Sequence, residues 1–513
     1  MIPYLAAALL LQGVAHVRSV LPLDGRILQS VVADANGDGL SDLLVARSLP
    51  QEGREVDVFF LRPDGAFPAV PDRRIEIKVD VICWGVGEFR PDDPGIELLL
   101  TTRSGAYTLS PRKNGYGGNI RKLAGGPMLF DLPSERALPL WTAIADVDGD
   151  GIDEVALLTL DGVLVVRPTA EGGQMIGSLS EVSKSRSRPP AAERAFLLGN
   201  PQISSQPLSE LFVPDDDPGL IDAPPTFSVD DSMPIPFFRD LNGDGLLDLV
   251  YYDGGYLFGH FQVPAPAQEA QEDGRPLFSS PEDFRVYVGD QSGWKLFSLD
   301  LLDVGGGKAA DLLLLRRQKK NTPLPVAYQA ILYLDPFEGG QVRMGSPDSV
   351  AQFESSLASF SLADFNHDGR PDLAMEGWSL TTNLLSLGVE ISHVVSGFPA
   401  KEKGGFQNRA SFQYRRGYKA DDFTAFSYVP ALTSDLDGDG LTDLLESDPH
   451  GVLEMRPFVG EGGRAGFAKE PAFQVAVQAL GSVVQVQDLN HDGVGDLLIR
   501  HQSIFELYIS RKR

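Results

Sequence analysis

An acidic nonapeptide recurs along the chain, and its residue types are those that hold a hard cation. The first copy reads Asp34-Ala-Asn36-Gly-Asp38-Gly39-Leu40-Ser-Asp42. The next two are Asp146-Val-Asp148-Gly-Asp150-Gly151-Ile152-Asp-Glu154 and Asp240-Leu-Asn242-Gly-Asp244-Gly245-Leu246-Leu-Asp248. Then come Asp364-Phe-Asn366-His-Asp368-Gly369-Arg370-Pro-Asp372 and Asp435-Leu-Asp437-Gly-Asp439-Gly440-Leu441-Thr-Asp443. The last is Asp488-Leu-Asn490-His-Asp492-Gly493-Val494-Gly-Asp496. One match to D-x-[DN]-x-D-G-x-x-[DE] would be a moderate signal; six in one chain are a strong one.

Calcium takes six to eight oxygen ligands at about 2.3–2.6 Å. Alternate residues of a tight loop can aim several oxygens at one point. The expected ligands at positions 1, 3, 5 and 9 are the side chains named above, with the backbone carbonyl of position 7 completing each set. Those carbonyls belong to Leu40, Ile152, Leu246, Arg370, Leu441 and Val494, and the variety of side chains agrees with backbone use. Position 6 is Gly in every copy, where the chain must turn at a φ costly to other residues. His367 and His491 stand at position 4 and are expected to point away from the cation. About six calcium ions would bring the formal net charge from -27 to -15. Asp, Asn and Gly also favour plain turns, but six such loops without a cation would crowd like charges. An EF-hand needs a bidentate Glu at position 12. Here that position is Val45, Leu157, Tyr251, Met375, Glu446 and Ile499, mostly apolar, which argues against helix–loop–helix hands.

Two stretches are worn copies. Glu88 to Glu97 keeps some acids without the spacing, and Asp303 to Asp311 keeps only positions 1 and 9. Starts therefore fall at 34, 88, 146, 240, 303, 364, 435 and 488. The one wide interval, from 146 to 240, implies an insertion or an extra unit within about residues 165–235. Each loop is followed by a run such as Leu43-Leu44-Val45-Ala46 or Leu497-Leu498-Ile499, then a turn and a further run. Short runs rich in β-branched and aromatic residues between Gly, Asp and Asn read as strands. A unit of roughly 60 residues cannot bury both faces of its sheet alone, so neighbours must stack. Radial stacking of four-stranded units also protects their edges. The expected fold is all-β: a β-propeller of seven or eight four-stranded blades with calcium loops, covering residues 19–513.

The acidic loop between strands at this period resembles the FG-GAP (VCBS-type) repeats of the integrin α-subunit propeller and its bacterial relatives. Phe258-Gly259 is a trace of the literal signature. The resemblance spans roughly residues 25–510. It implies calcium in loops on one propeller face and, for many members, surface recognition or adhesion.

The strongly acidic balance, 71 Asp+Glu against 44 Lys+Arg, disfavours nucleic acid and anionic lipid. Residues 4–15 (YLAAALLLQGVA) are too short an apolar run to span a membrane and suit a signal h-region, with residues 1–18 the expected leader. A secreted, cell-surface or periplasmic location follows, and no transmembrane span is expected. Cys83 permits no intrachain disulfide and is expected to be buried in a strand. The basic runs Arg316-Arg317-Gln318-Lys319-Lys320 and Arg511-Lys512-Arg513 are expected to be solvated.

No H-E-x-x-H or G-x-S-x-G occurs, and Gly305-Gly306-Gly307-Lys308 lacks the frame of a phosphate loop. The leading functional reading is therefore a non-enzymatic, monomeric interaction module for a protein or glycan. The alternative is a polysaccharide-acting enzyme with its site at the propeller channel. The two differ in whether acids or His outside the nonapeptides converge on the channel mouth.

Overall fold

The apolar runs on either side of each acidic loop are antiparallel strands. The computed structural model describes residues 9–10, 14–50, 53–90, 92–129, 137–159, 161–179, 197–198, 235–263, 277–278, 281–320, 325–383, 388–419, 432, 434–461, 464–477 and 482–512. Among these the only helix is a single 3-10 turn, Glu338–Gly340.

The sheets form eight blades, and blades 1 to 7 run through their strands in sequence order. Blade 1 is Arg26–Ala33, Asp42–Ser48, Arg54–Phe59 and Arg73–Ile77. Blade 2 is Val81–Gly87, Glu97–Thr102, Gly105–Leu109 and Ile120–Gly125. Blade 3 is Ile144–Ala145, Glu154–Thr159, Gly162–Thr169 and Gly172–Leu179. Blade 4 is Phe237–Arg239, Asp248–Asp253, Tyr256–His260 and Phe284–Tyr287. Blade 5 is Trp294–Leu302, Asp311–Gln318, Val326–Tyr333 and Ser349–Ser355. Blade 6 is Leu357–Ala363, Asp372–Asn383, Gly388–Phe398 and Phe412–Lys419. Blade 7 has Leu432 bridged to Leu444, then Leu444–Ser447, Val452–Arg456 and Phe473–Ala476, with a hairpin of Phe458–Glu461 and Arg464–Phe467 set between the last two.

Blade 8 closes the ring. It takes Val483–Gln487, Asp496–Arg500 and Ile504–Lys512 from one end of the chain and Val14–Pro22 from the other, paired from Val14↔Lys512 to Pro22↔Ile504. Residues 14–18, within the stretch expected to be a leader, thus belong to the closing strand, and a boundary after residue 18 would cut it. The wide interval between the third and fourth intact loops falls in the connection from blade 3 to blade 4. Most of the stretch expected to hold an insertion or extra unit, about residues 165–235, lies outside the described residues.

Stacking decides the burial pattern. The second strand of blade 1, Asp42–Ser48, is buried at every position because a neighbour covers each face of its sheet. The outer strand Phe473–Ala476 alternates buried and exposed. The apolar clusters lie between blades rather than within them. Leu44 and Val58 of blade 1 pack with Trp84 and Leu98 of blade 2. Leu43 and Phe59 on the other face of blade 1 pack with Leu498 and Phe505 of blade 8.

Candidate metal loops at one end of the propeller

All eight nonapeptide regions, intact or worn, occupy one place: each joins the first strand of its blade to the second. They therefore share one end of the molecule, and they touch in sequence around it. The carbonyl at position 1 accepts the backbone N–H next to position 9 of the following loop. Ile96 donates to Asp34 at 3.0 Å, Asp153 to Glu88 at 2.8 Å, Ala310 to Asp240 at 3.0 Å and Gly495 to Asp435 at 2.7 Å. Ser41 closes the circle by donating to Leu489 at 3.0 Å. Between blades 6 and 7 the Thr442 hydroxyl donates to the Asp364 carbonyl at 3.4 Å instead. Pro371 holds the corresponding position in the blade 6 loop and has no N–H to give to blade 5. Between blades 3 and 4 the Gln262 amide, oriented to satisfy both its ends, donates to the carbonyls of Leu247 and Val147.

Within a loop the side chains bind the backbone they turn. In all six intact copies the position 6 N–H donates to the position 1 carboxylate at 2.7–2.9 Å. The position 7 N–H donates to the position 5 carboxylate at 2.8–3.1 Å. Position 6 has φ between 80° and 89°, as its Gly requires. Position 4 is left-handed as well. Gly37, Gly149, Gly243 and Gly438 meet that need without strain, whereas His367 and His491 adopt φ 57° and 58° despite a Cβ.

Position 9 is different. Its acid is at most 1% exposed in all eight blades: Asp42, Glu97, Glu154, Asp248, Asp311, Asp372, Asp443 and Asp496. In seven blades one carboxylate oxygen accepts the N–H of position 2, as from Ala35 to Asp42 at 3.0 Å and from Leu489 to Asp496 at 2.7 Å, whereas in blade 6 Asp372 Oδ2 is buried without a partner. Where the acid is Asp, the other oxygen accepts an N–H near or just beyond the end of the third strand. Leu61 donates to Asp42 at 2.9 Å, Gln262 to Asp248 at 2.9 Å, Ala400 to Asp372 at 2.6 Å and Ser510 to Asp496 at 2.6 Å. This acid therefore ties the loop to the far side of its own blade. Burial, reinforced by the acids at positions 1 and 5, pushes the carboxyl up to about 7 in Asp42 and Asp248.

The worn loops keep this staple after losing part of the donor set. Asp311 accepts from Val304 at 2.7 Å, Gly305 at 2.8 Å and Asp335 at 2.9 Å, although Gly305 and Gly307 replace the oxygens at positions 3 and 5. Glu97 accepts from Phe89 at 3.0 Å. In that loop Arg90 is buried and turned into the blade, where it donates to the Asn119 carbonyl at 2.7 Å.

The two blades with Glu at position 9 have a proline where the others present the second N–H: Pro111 in blade 2 and Pro168 in blade 3. Their longer side chains lack that donor. In blade 2, Glu97 Oε1 is buried without a hydrogen-bond partner. In blade 3, Arg167 supplies the donor, with Nε 2.9 Å from Glu154 Oε1, and its guanidinium also pairs with Asp148. Sequence reasoning missed Arg167. The available signal was the Glu–Pro pairing, each proline standing 14 residues after its Glu.

The donor set fits calcium. Two oxygens on one calcium lie at most about 5 Å apart, given bonds of about 2.5 Å. In the two loops with Asp at position 3, ligand oxygens of Asp146, Asp148 and Glu154, and of Asp435, Asp437 and Asp443, lie within 4.8 Å of one another. The loops that start at Asp34, Asp240, Asp364 and Asp488 place an Asn at position 3. Burial and repulsion from Asp439 and Asp435 raise the Asp437 carboxyl, a strain that a cation would relieve. Arg370 spends its charge on an exposed pair with Asp368 at 2.7 Å, worth little.

Away from the loops, blades 6 and 7 share a buried ionic cluster. His393, 1% exposed, lies 2.7 Å from Glu376 and 3.5 Å from Glu446, and stacks on Trp378. Arg416 and Arg456 each reach Glu446 at 2.7 Å and line an open cleft of about 470 Å³ with Glu454 and Lys469. Cys83 is buried in blade 2, as its sequence context implies.

Eight four-stranded antiparallel blades closed by the N-terminal strand define the class: an eight-bladed β-propeller. No family model matches the chain. No curated protein matches it. Among solved structures it is similar to Sqt1 from Chaetomium thermophilum, at 12% identity and a TM-score of 0.41 over 96% of this chain and 98% of that one. No helix among the described residues is long and apolar enough to cross a membrane.

Proposed function

We propose that this propeller is of the FG-GAP type, holds calcium in its six intact loops, and acts outside the cytosol as an interaction module for a protein or glycan. The observation that carries the reading is the convergence of the Asp435, Asp437 and Asp443 oxygens in a loop that recurs at one point of the blade. Calcium would supply the positive charge that several carboxylates on one tight turn lack. The chain's own residues do the rest. Positions 1 and 5 hold the turn through its N–H groups, position 6 permits it, and position 9 anchors it to the blade. Because most neighbouring loops hydrogen-bond one another, an ordered loop braces the next blade. The face built this way is what a partner would meet.

Binding to the folded state alone adds RT ln(1 + [L]/Kd), roughly 2.7 kcal/mol per site at one hundred times Kd. Extracellular modules often bind calcium at about 10⁻⁴–10⁻³ M, so such loops would stay largely empty in a cytosol. The test is thermal unfolding in millimolar calcium and in excess EGTA. A clear upward shift with calcium is expected, and equal midpoints would refute the calcium reading. A screen against glycans and surface proteins, with and without calcium, tests the interaction role; no binder in either condition would count against it.

A further inference from the structure

We propose that Arg167 is the resident cation of the blade 3 loop and makes that loop the last of the six to take a metal ion. This rests on the calcium reading above. Arg167 is on the third strand of blade 3, opposite Glu154 in the register that pairs Val155 with Val166. Its guanidinium bonds Glu154 at position 9 and pairs with Asp148 at position 3, while Asp146 at position 1 acts on it electrostatically. Three of the four acidic positions thus already face a positive charge.

The charge is held there rather than drifting at the surface. The Arg167 side chain is 13% exposed and Glu154 is 0% exposed. Pro168 explains the arrangement, since it removes the backbone donor that the carboxylate meets in the Asp-type blades, and Arg167 stands in its place. In the other seven blades the residue at this register position is uncharged, as with Phe60 in blade 1 and Ile509 in blade 8. The loop that starts at Asp435 has the same three-carboxylate set without such a residue, because Pro457 lies opposite Asp443. A divalent ion entering the blade 3 loop must displace or coexist with a guanidinium; one entering the blade 7 loop need not.

The experiment is a calcium titration of the full chain by calorimetry, with ions counted by native mass spectrometry. Wild-type protein is expected to take five ions first and a sixth at clearly higher calcium. Arg167→Gln, which keeps a donor for Glu154 and removes the charge, should tighten that sixth site on the order of tenfold to a hundredfold, from the Coulomb term between a unit charge and a nearby divalent ion. Should Arg167→Gln not fold, Phe60→Arg carries the charge to blade 1, and one ion fewer is expected in the early phase. Six equal sites in wild type, or a sixth site unmoved by Arg167→Gln, would overturn the inference and leave the calcium reading standing. No calcium bound by wild type, or no ion lost in Asp435→Ala, would overturn both.

Discussion

Replacing Asp311 with Ala should cost the fold more than replacing any other residue of its loop, and calcium should not change that cost. The Asp303 to Asp311 loop has no side-chain oxygen at positions 3 and 5, so whatever Asp311 contributes comes without a full metal site. It is 1% exposed and accepts three backbone N–H groups, from Val304, Gly305 and Asp335. Gly305 can turn to water, Val304 is buried and Asp335 is half-buried. A buried donor left without a partner costs about 1–3 kcal/mol. Removing the carboxylate should therefore cost about 2–4 kcal/mol, part of the gross loss being offset by the burial that raises its pKa. Asp303→Ala removes one exposed bond, from Gly306 at 2.7 Å, and should cost well under half as much. With an unfolding entropy of roughly 2.1 cal/mol/K per residue, the whole chain changes by about 1 kcal/mol per degree, so Asp311→Ala should melt about 2–4 °C lower. Scanning calorimetry in EGTA and in millimolar calcium resolves such a shift. An Asp311→Ala midpoint equal to wild type, or one restored by calcium, would refute the assignment of position 9 as a blade staple.

A chain beginning at Val14 should fold like the whole one, whereas a chain beginning at Ser19 loses five of the nine pairs that close blade 8, together with the Arg18–Glu506 ion pair, and should melt far lower. Equal melting of the two would contradict the closing-strand role. Glu376 and Glu446, acting against its burial, hold His393 up at about 9 from an ordinary 6.5. Its contribution is present in full below 6.5 and lost as pH rises through about 9, so the stability gap between wild type and His393→Gln should close across that window. An imidazole that titrates near its ordinary value by NMR would refute the cluster. Burial pushes the Cys83 thiol up to about 12, so it should resist thiol reagents in the native protein and react once unfolded. Labelling at the native rate of a free thiol would place it elsewhere.

Much of this was legible in the sequence, and for physical reasons. A tight acidic turn needs Gly at position 6 and oxygens at alternate positions, so the loops declare themselves, and the run after each one is a strand because it is buried on both faces. The division of labour inside the loop was hidden. Position 9 is acidic like the other expected ligands, and its second role as a staple shows only once its partners are known, because its N–H donors at position 2 and near the end of the third strand depend on register. One clue was present: Asp311 persists where positions 3 and 5 have eroded, and Glu97 where the loop spacing has, as a residue needed for folding would. Arg167 was hidden for the same reason, since an arginine near Glu154 in space is 13 residues away in sequence. The alternating pattern of residues 14–22 was masked by the apolar run before it, which draws attention to a leader rather than to a closing strand.

Anomalous scattering from crystals grown in calcium tests the central claim most directly. The account predicts a peak within about 2.3–2.6 Å of the side-chain oxygens at positions 1, 3 and 5 in the loops that start at Asp34, Asp240, Asp364, Asp435 and Asp488. It predicts none between Asp303 and Asp311, and one beside Asp146 only at the highest calcium or after Arg167 is replaced. Empty density in the five loops, or a strong peak between Asp303 and Asp311, would contradict it.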